Sequence, residues 1–198
     1  MSTRHLAALG ALTALLLAQP VSAGNTLVRA GQRVAVAKSA MTVMPGTEWN
    51  KLGARPGRNS ETWTQDGEAL NDLTFYGGIE VGRPLFREVD KKNRPLPKVS
   101  ATMLVTDIPV LLENSYRVAL DTSSFGIDVI EPARFAGNDG VRFTYHFSKQ
   151  NETLQRRGEA RGAVIGGKLY MITYEAPGLY YYDRSAAAFR SVADSVKL

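Results

Sequence analysis

No cysteine occurs among the 198 residues. Disulfides, thiolate zinc sites, cysteine nucleophiles, iron–sulfur clusters and lipid attachment through an N-terminal cysteine are thereby excluded. Histidine is almost as scarce, His5 and His146 being the whole supply, which leaves imidazole chemistry and paired-histidine metal sites little to work with. The longest apolar run, Leu6–Ala18, falls well short of the roughly 20 residues that a helix needs to cross a bilayer. Internal repeats and low-complexity blocks are missing as well. What remains is an ordinary globular balance, 44% hydrophobic and 22% charged, which rules out a wholly disordered chain.

The first 23 residues read as a secretory signal. Arg4 and His5 open it, Leu6–Ala18 forms its apolar stretch, and Gln19-Pro20-Val21-Ser22-Ala23 ends in small residues suited to cleavage before Gly24. Residues 24–198 then form one domain, large enough to bury a core without covalent staples, in the periplasm or outside the cell. Lysine and arginine together number 24 against 19 acids, a formal charge of +5. That excess favours anionic surfaces but selects no particular partner.

Several segments carry structural signals. Gln32–Val43 alternates enough for one or two short strands, and Lys51–Asn59 reads as a surface loop. Glu61–Thr64 and Ala69–Tyr76 flank Gln65-Asp66-Gly67, a hairpin signal that Gly77-Gly78 should close. Asp107–Ala119 has helical spacing, with Thr106 or Asp107 as its cap and Pro109 in the first turn. Ile127–Ile130 and Val141–Phe147 are strand-like, with Asn138-Asp139-Gly140 between them. Leu154–Ile165 and Lys168–Tyr174 pair across Gly166-Gly167. A terminal helix capped by Asp183 presents Phe189, Val192, Ala193 and Val196 as an apolar stripe. Consecutive strands joined by turns imply antiparallel pairing, so the expectation is an α+β domain: a sheet of about six strands with two main helices packed on it.

No motif carries a catalytic set, and no catalytic, cofactor or metal residue is assigned. His146 falls beside Arg142 and Thr144 on the more polar face of its strand; a hydrolase built on it would still need an orienting carboxylate and a nucleophile. Asp121-Thr122-Ser123 resembles the aspartic-protease loop, but it occurs once and follows a predicted helix, where a turn residue is the simpler reading. The acids lack calcium-loop spacing, and the paired glycines lack the setting of a phosphate loop. Two basic segments stand out. Arg83–Lys98 is an unusually long proline-containing loop, and Arg156–Arg161 is a basic strand. Export and the absence of interleaved exposed aromatics argue against nucleic acid as partner. Trp49 and Trp63 either plug the core or rim a groove.

Across the predicted domain, Glu61-Thr62-Trp63-Thr64 with Asp66-Gly67, then Phe75 and Gly78, Pro132, Phe135-Ala136-Gly137, Arg157-Gly158, Leu169–Tyr174 and the closing helix resemble a loose group of exported proteobacterial proteins of unknown function. The element order is also similar to the PsbP-like α/β/α sandwich. That resemblance implies binding or assembly in the envelope, with no shared catalytic residues to carry over. The functional expectation is therefore a non-enzymatic envelope binding or accessory module that meets an envelope protein or an anionic surface. Arg87, Lys91, Lys92 and Arg94 of the loop, with Arg156, Arg157 and Arg161 of the strand, are its candidate contacts. The alternative is a carrier holding a small apolar ligand near Trp49, Trp63 and Tyr170.

Overall fold

A computed structural model describes residues 24–150 and 153–198; the expected signal segment lies outside the described residues. The described residues form ten strands: β1 (Thr26–Val28), β2 (Val34–Ala35), β3 (Thr42–Val43), β4 (Trp49–Lys51), β5 (Ser60–Thr64), β6 (Asp72–Ile79), β7 (Thr122–Phe135), β8 (Asn138–Lys149), β9 (Arg156–Ile165) and β10 (Lys168–Pro177). Helix α1 (Ile108–Ala119) precedes β7, and α2 (Tyr181–Asp194) follows β10. Eight strands make one antiparallel sheet in the order β1-β4-β5-β6-β10-β9-β8-β7, while β2 and β3 pair separately. The expected count of about six is therefore too low. β1 and β4 hold three residues each, too few to show a period.

The sheet is apolar on both faces, and each face has its own helix. Met171 and Ile172 are neighbours on β10, so they point to opposite sides. Met171 packs with Phe143, Tyr145 and Phe147 of β8 and with Ile108, Leu112 and Tyr116 of α1. Ile172 packs with Trp63, Phe75 and Tyr174 and with Phe189 and Val192 of α2. The result is a three-layer α/β/α sandwich. Trp49 and Trp63 are 1% exposed, which resolves their role: they fill the core.

Turns account for most differences between the expected and observed boundaries. Gly166 and Gly167 take φ of 57° and 72°, the paired left-handed geometry of a two-residue hairpin, as the sequence predicts. Between β7 and β8 the turn is instead made by Ala136 and Gly137, at 49° and 80°, and Asn138-Asp139-Gly140 belongs to the strand. β6 runs through Gly77-Gly78 to Ile79, where a register shift leaves Gly78 without a partner before pairing with β10 resumes at Ile79 and Leu169. Helix α1 begins behind a 3₁₀ turn at Val105–Asp107, and the Asp107 side chain accepts from the Leu104 N–H at 2.9 Å. Helix α2 starts after Tyr180 rather than Asp183, which lies in its first turn.

One buried charge ties α2 to the sheet. Glu159 of β9 is 0% exposed and accepts from Arg142 Nε of β8 at 2.9 Å and Arg190 Nε of α2 at 3.0 Å. Burial opposes its ionisation, yet these two guanidiniums hold its carboxyl below the ordinary carboxylate range. Replacing Glu159 removes their shared acceptor, although Arg142 and Arg190 both reach solvent and Arg142 keeps Glu131. Glu159→Ala should lower unfolding free energy by about 1–3 kcal/mol in urea titrations, whereas Asp194→Ala, removing the exposed partner of Arg161, should cost less than about 1 kcal/mol.

Candidate functional site

The segment between β6 and α1 contains the long basic stretch, and it is well anchored. Leu85, Leu96 and Val99 are buried. Val99 N–H donates to Arg83 O at 3.0 Å and Gly82 N–H to Val99 O at 2.8 Å, closing the base of the loop. Arg94 pins the far side, donating to Val118 O at 2.7 Å and pairing with Asp121 just past α1. At the tip, Asp90 accepts from the Asn93 backbone N–H and side chain, both at 3.0 Å; these bonds draw its carboxyl below the ordinary range. The turn thus held leaves Val89 94% exposed beside exposed Lys91 and Lys92.

Arg87 sits away from that tip. Its backbone N–H donates to Pro56 O at 2.8 Å, and it joins Lys38, Arg55, Arg58 and Arg83 around a cleft of about 550 Å³ whose apolar wall includes Phe86 and Pro84. Discontinuous segments build this cleft, and for that reason no run of the sequence announces it. The glutamates in its lining are occupied: Glu80 faces Lys168 Nζ at 3.3 Å, and Glu88 accepts from the Leu96 N–H at 3.4 Å.

The arginines of β9 lie elsewhere. The strand is interior, between β10 and β8. Arg157 stacks its guanidinium 4.3 Å over the Tyr182 ring, and Arg161 donates to Asp194 at 2.5 Å; both therefore belong to the α2 layer, across the sheet from the loop. Arg156 is 4% exposed and donates to Ala69 O at 2.7 Å. The sequence grouped seven basic residues as one surface; the fold distributes them over a loop tip, a cleft, the α2 layer and the interior.

Arg156 faces an acid pair that the sequence did not reveal. Glu175 and Asp72 are opposed on β10 and β6. Tyr116 Oη donates to Glu175 at 2.6 Å and Tyr145 Oη at 3.3 Å. Burial, then the Glu175 charge, pushes the Asp72 carboxyl up to about 8, and burial raises Glu175 in turn. The pair can hold a proton, but its enclosure by Tyr116 and Tyr145 gives it a structural setting. His146 has the orienting carboxylate that a catalytic histidine would need, with Asp128 Oδ1 2.6 Å from Nδ1. That pair bridges a β-bulge in β7 near Ile127 and Val129, which interrupts the alternation by which the sequence could place Asp128 beside His146. Among the described residues no group of three or more His, Asp or Glu side chains is placed to hold a metal ion.

Layer order and connectivity put this chain in a recognised class of fold, the PsbP-like α/β/α sandwich. The solution structure of cyanobacterial PsbP (CyanoP) from Synechocystis sp. PCC 6803 aligns over 96% of this chain and 98% of its own, with a TM-score of 0.55 and 17% identity. The crystal structure of LpqN, involved in cell envelope biogenesis of Mycobacterium tuberculosis, covers 87% of this chain and 89% of its own, with a TM-score of 0.31 and 11% identity. No family model and no curated protein matches the chain. At 17% identity the likeness to CyanoP is one of architecture.

A raised carboxyl pKa means that the folded state binds the proton more tightly than the unfolded chain does. The contribution of Asp72 is therefore full below pH 4 and declines as pH climbs toward 8. Asp72→Asn should remove that decline. Its stability relative to the unsubstituted protein should improve between pH 5 and pH 8 by more than about 1.4 kcal/mol, the worth of one pKa unit, in denaturant titrations at the two pH values.

Proposed function

We propose that the protein is an exported, non-enzymatic accessory module of the cell envelope that works by docking onto an anionic surface. The observation that carries this reading is the loop tip at 89–92. A bare valine and two lysines with no ion pair to any described residue stand on a turn made rigid by Asp90 and anchored through Arg94. Preorganisation matters because a loop already ordered loses little conformational freedom on contact. Charge steers the encounter, and Val89 supplies apolar area at the point of closest approach. Arg87 extends the positive field toward the cleft, while Arg94 holds the tip in place. Among the described residues no helix is long and apolar enough to cross a membrane. The carrier alternative draws no support from Trp49 and Trp63, which are enclosed in the core.

Lys91→Glu with Lys92→Glu should leave the fold intact, since both side chains are exposed. Co-sedimentation with vesicles of phosphatidylglycerol and phosphatidylcholine should fall roughly tenfold at low salt, and the difference should vanish above about 0.5 M salt. Equal sedimentation of variant and unsubstituted protein at low salt would remove the loop tip as the contact.

A further inference from the structure

The cleft at the base of the loop poses a separate problem from the tip. Lys38, Arg55, Arg58, Arg83 and Arg87 line one concavity, and like charges so gathered repel one another. The two glutamates of the lining offset them only in part: Glu80 faces Lys168 Nζ, outside the cleft, and Glu88 accepts from the Leu96 N–H. Among the described residues the side chains of Lys38, Arg58, Arg83 and Arg87 have no hydrogen bond or ion pair. Arg55 is only half engaged: Nη2 lies 3.6 Å from Glu61, while Nη1 is enclosed without a hydrogen-bond partner among the described residues.

Backbone strain sharpens the point. Ala37 and Lys38 both take left-handed φ, 54° and 50°, a conformation that neither residue favours. The turn is held there from beneath. Ala37 N–H donates to buried Glu61 at 3.3 Å, and the turn rests on Gly77, where a Cβ would come within 2.3 Å of Ser39 Oγ. Strain of this kind persists only where the surroundings enforce it, and here it delivers a lysine to a site that already holds four guanidiniums.

We infer that the cleft binds a small molecule through a phosphate group carrying at least two negative charges. Guanidinium forks match phosphate oxygens in pairs, and Lys38 adds a compact charge. Five cations against two carboxylates exceed what one monoanionic carboxylate would neutralise. The volume of about 550 Å³ falls within the range of small-molecule sites, and Phe86 with Pro84 offers an apolar wall for whatever carries the phosphate. A soluble phosphate ester and a phosphomonoester lipid headgroup share this chemistry.

Two probes distinguish those sources: inorganic pyrophosphate in isothermal calorimetry, and vesicles of phosphatidic acid in phosphatidylcholine. The variants are Arg58→Gln with Arg83→Gln, and Lys91→Glu with Lys92→Glu, each checked for unchanged melting. Pyrophosphate binding by the unsubstituted protein, weakened on the order of tenfold or more in the arginine variant and within about twofold of unchanged in the lysine variant, supports the site and a soluble ligand. Phosphatidic acid binding lost in the arginine variant, with no response to free pyrophosphate, supports the site with a lipid headgroup. No binding of either probe up to roughly 1 mM, or equal losses in both variants, overturns it. Because the tip lysines are tested separately, failure at the cleft and failure at the tip are distinguishable.

Discussion

An antiparallel sheet with apolar side chains on both faces must be covered twice, and much of this molecule follows from that requirement. Helix α2 covers one face together with the β2–β3 hairpin, where Val36 and Met41 of the connection and Val43 of β3 join the same cluster. Helix α1 is only 12 residues long and cannot shield Phe143, Tyr145 and Met171 alone. Leu85 and Val99 complete that layer. The long segment after β6 is thus part of the core cover rather than a free excursion. Its apolar residues bind it down, and its cations are left on the outer side. Burial anchors the base, while Asp90 and Arg94 order the tip.

Interior carboxylates are handled in three different ways. Glu159 stays ionised between Arg142 and Arg190. Glu61 is compensated by hydrogen bonds from Trp63 Nε1 at 2.9 Å and the Ala37 N–H, with Lys51 Nζ at 3.0 Å. Glu175 and Asp72 have only Arg156 near them among buried cations, and the enclosed pair favours the protonated form. Each solution also positions something: Glu159 seats α2, Glu61 fixes the Ala37–Lys38 turn, and Glu175 anchors the Tyr116 face of α1. Polar groups in this core specify where elements dock at least as much as they stabilise them.

How much of this was legible depended on locality. Phe143, Tyr145 and Phe147 alternate with Thr144 and His146, so β8 and its inner face could be read directly. Helix α1 and the Gly166-Gly167 turn were equally plain, because spacing and positive φ are properties of neighbouring residues. The end of β6 is misplaced in the sequence because Gly77-Gly78 reads as a terminator, whereas the strand passes through it to Ile79 with Gly78 at a φ of 69°. The bulges of β7 broke its period. The candidate sites fared worse. Lys91 and Lys92 were recognisable from a local cluster of charge, but Lys38, Arg55 and Arg83 meet only after the chain has returned to the same place three times.

Net charge, for the same reason, was a poor guide to contact. The sequence offers the basic strand alongside the loop as a contact surface, yet Arg156, Arg157 and Arg161 are engaged within the fold, by the Ala69 carbonyl, the Tyr182 ring and Asp194 respectively. What distinguishes a cation available to a partner is the absence of an internal one, and that is decided by three-dimensional pairing. Among the described residues, Lys91 and Lys92 at the tip and Lys38, Arg58, Arg83 and Arg87 at the cleft meet that criterion. A guanidinium already stacked or paired would have to break a contact to make another, so two basic segments of equal charge in the sequence have unequal capacity to bind. The division follows from topology: an interior strand spends its charges on its neighbours, whereas a covering loop leaves them facing out.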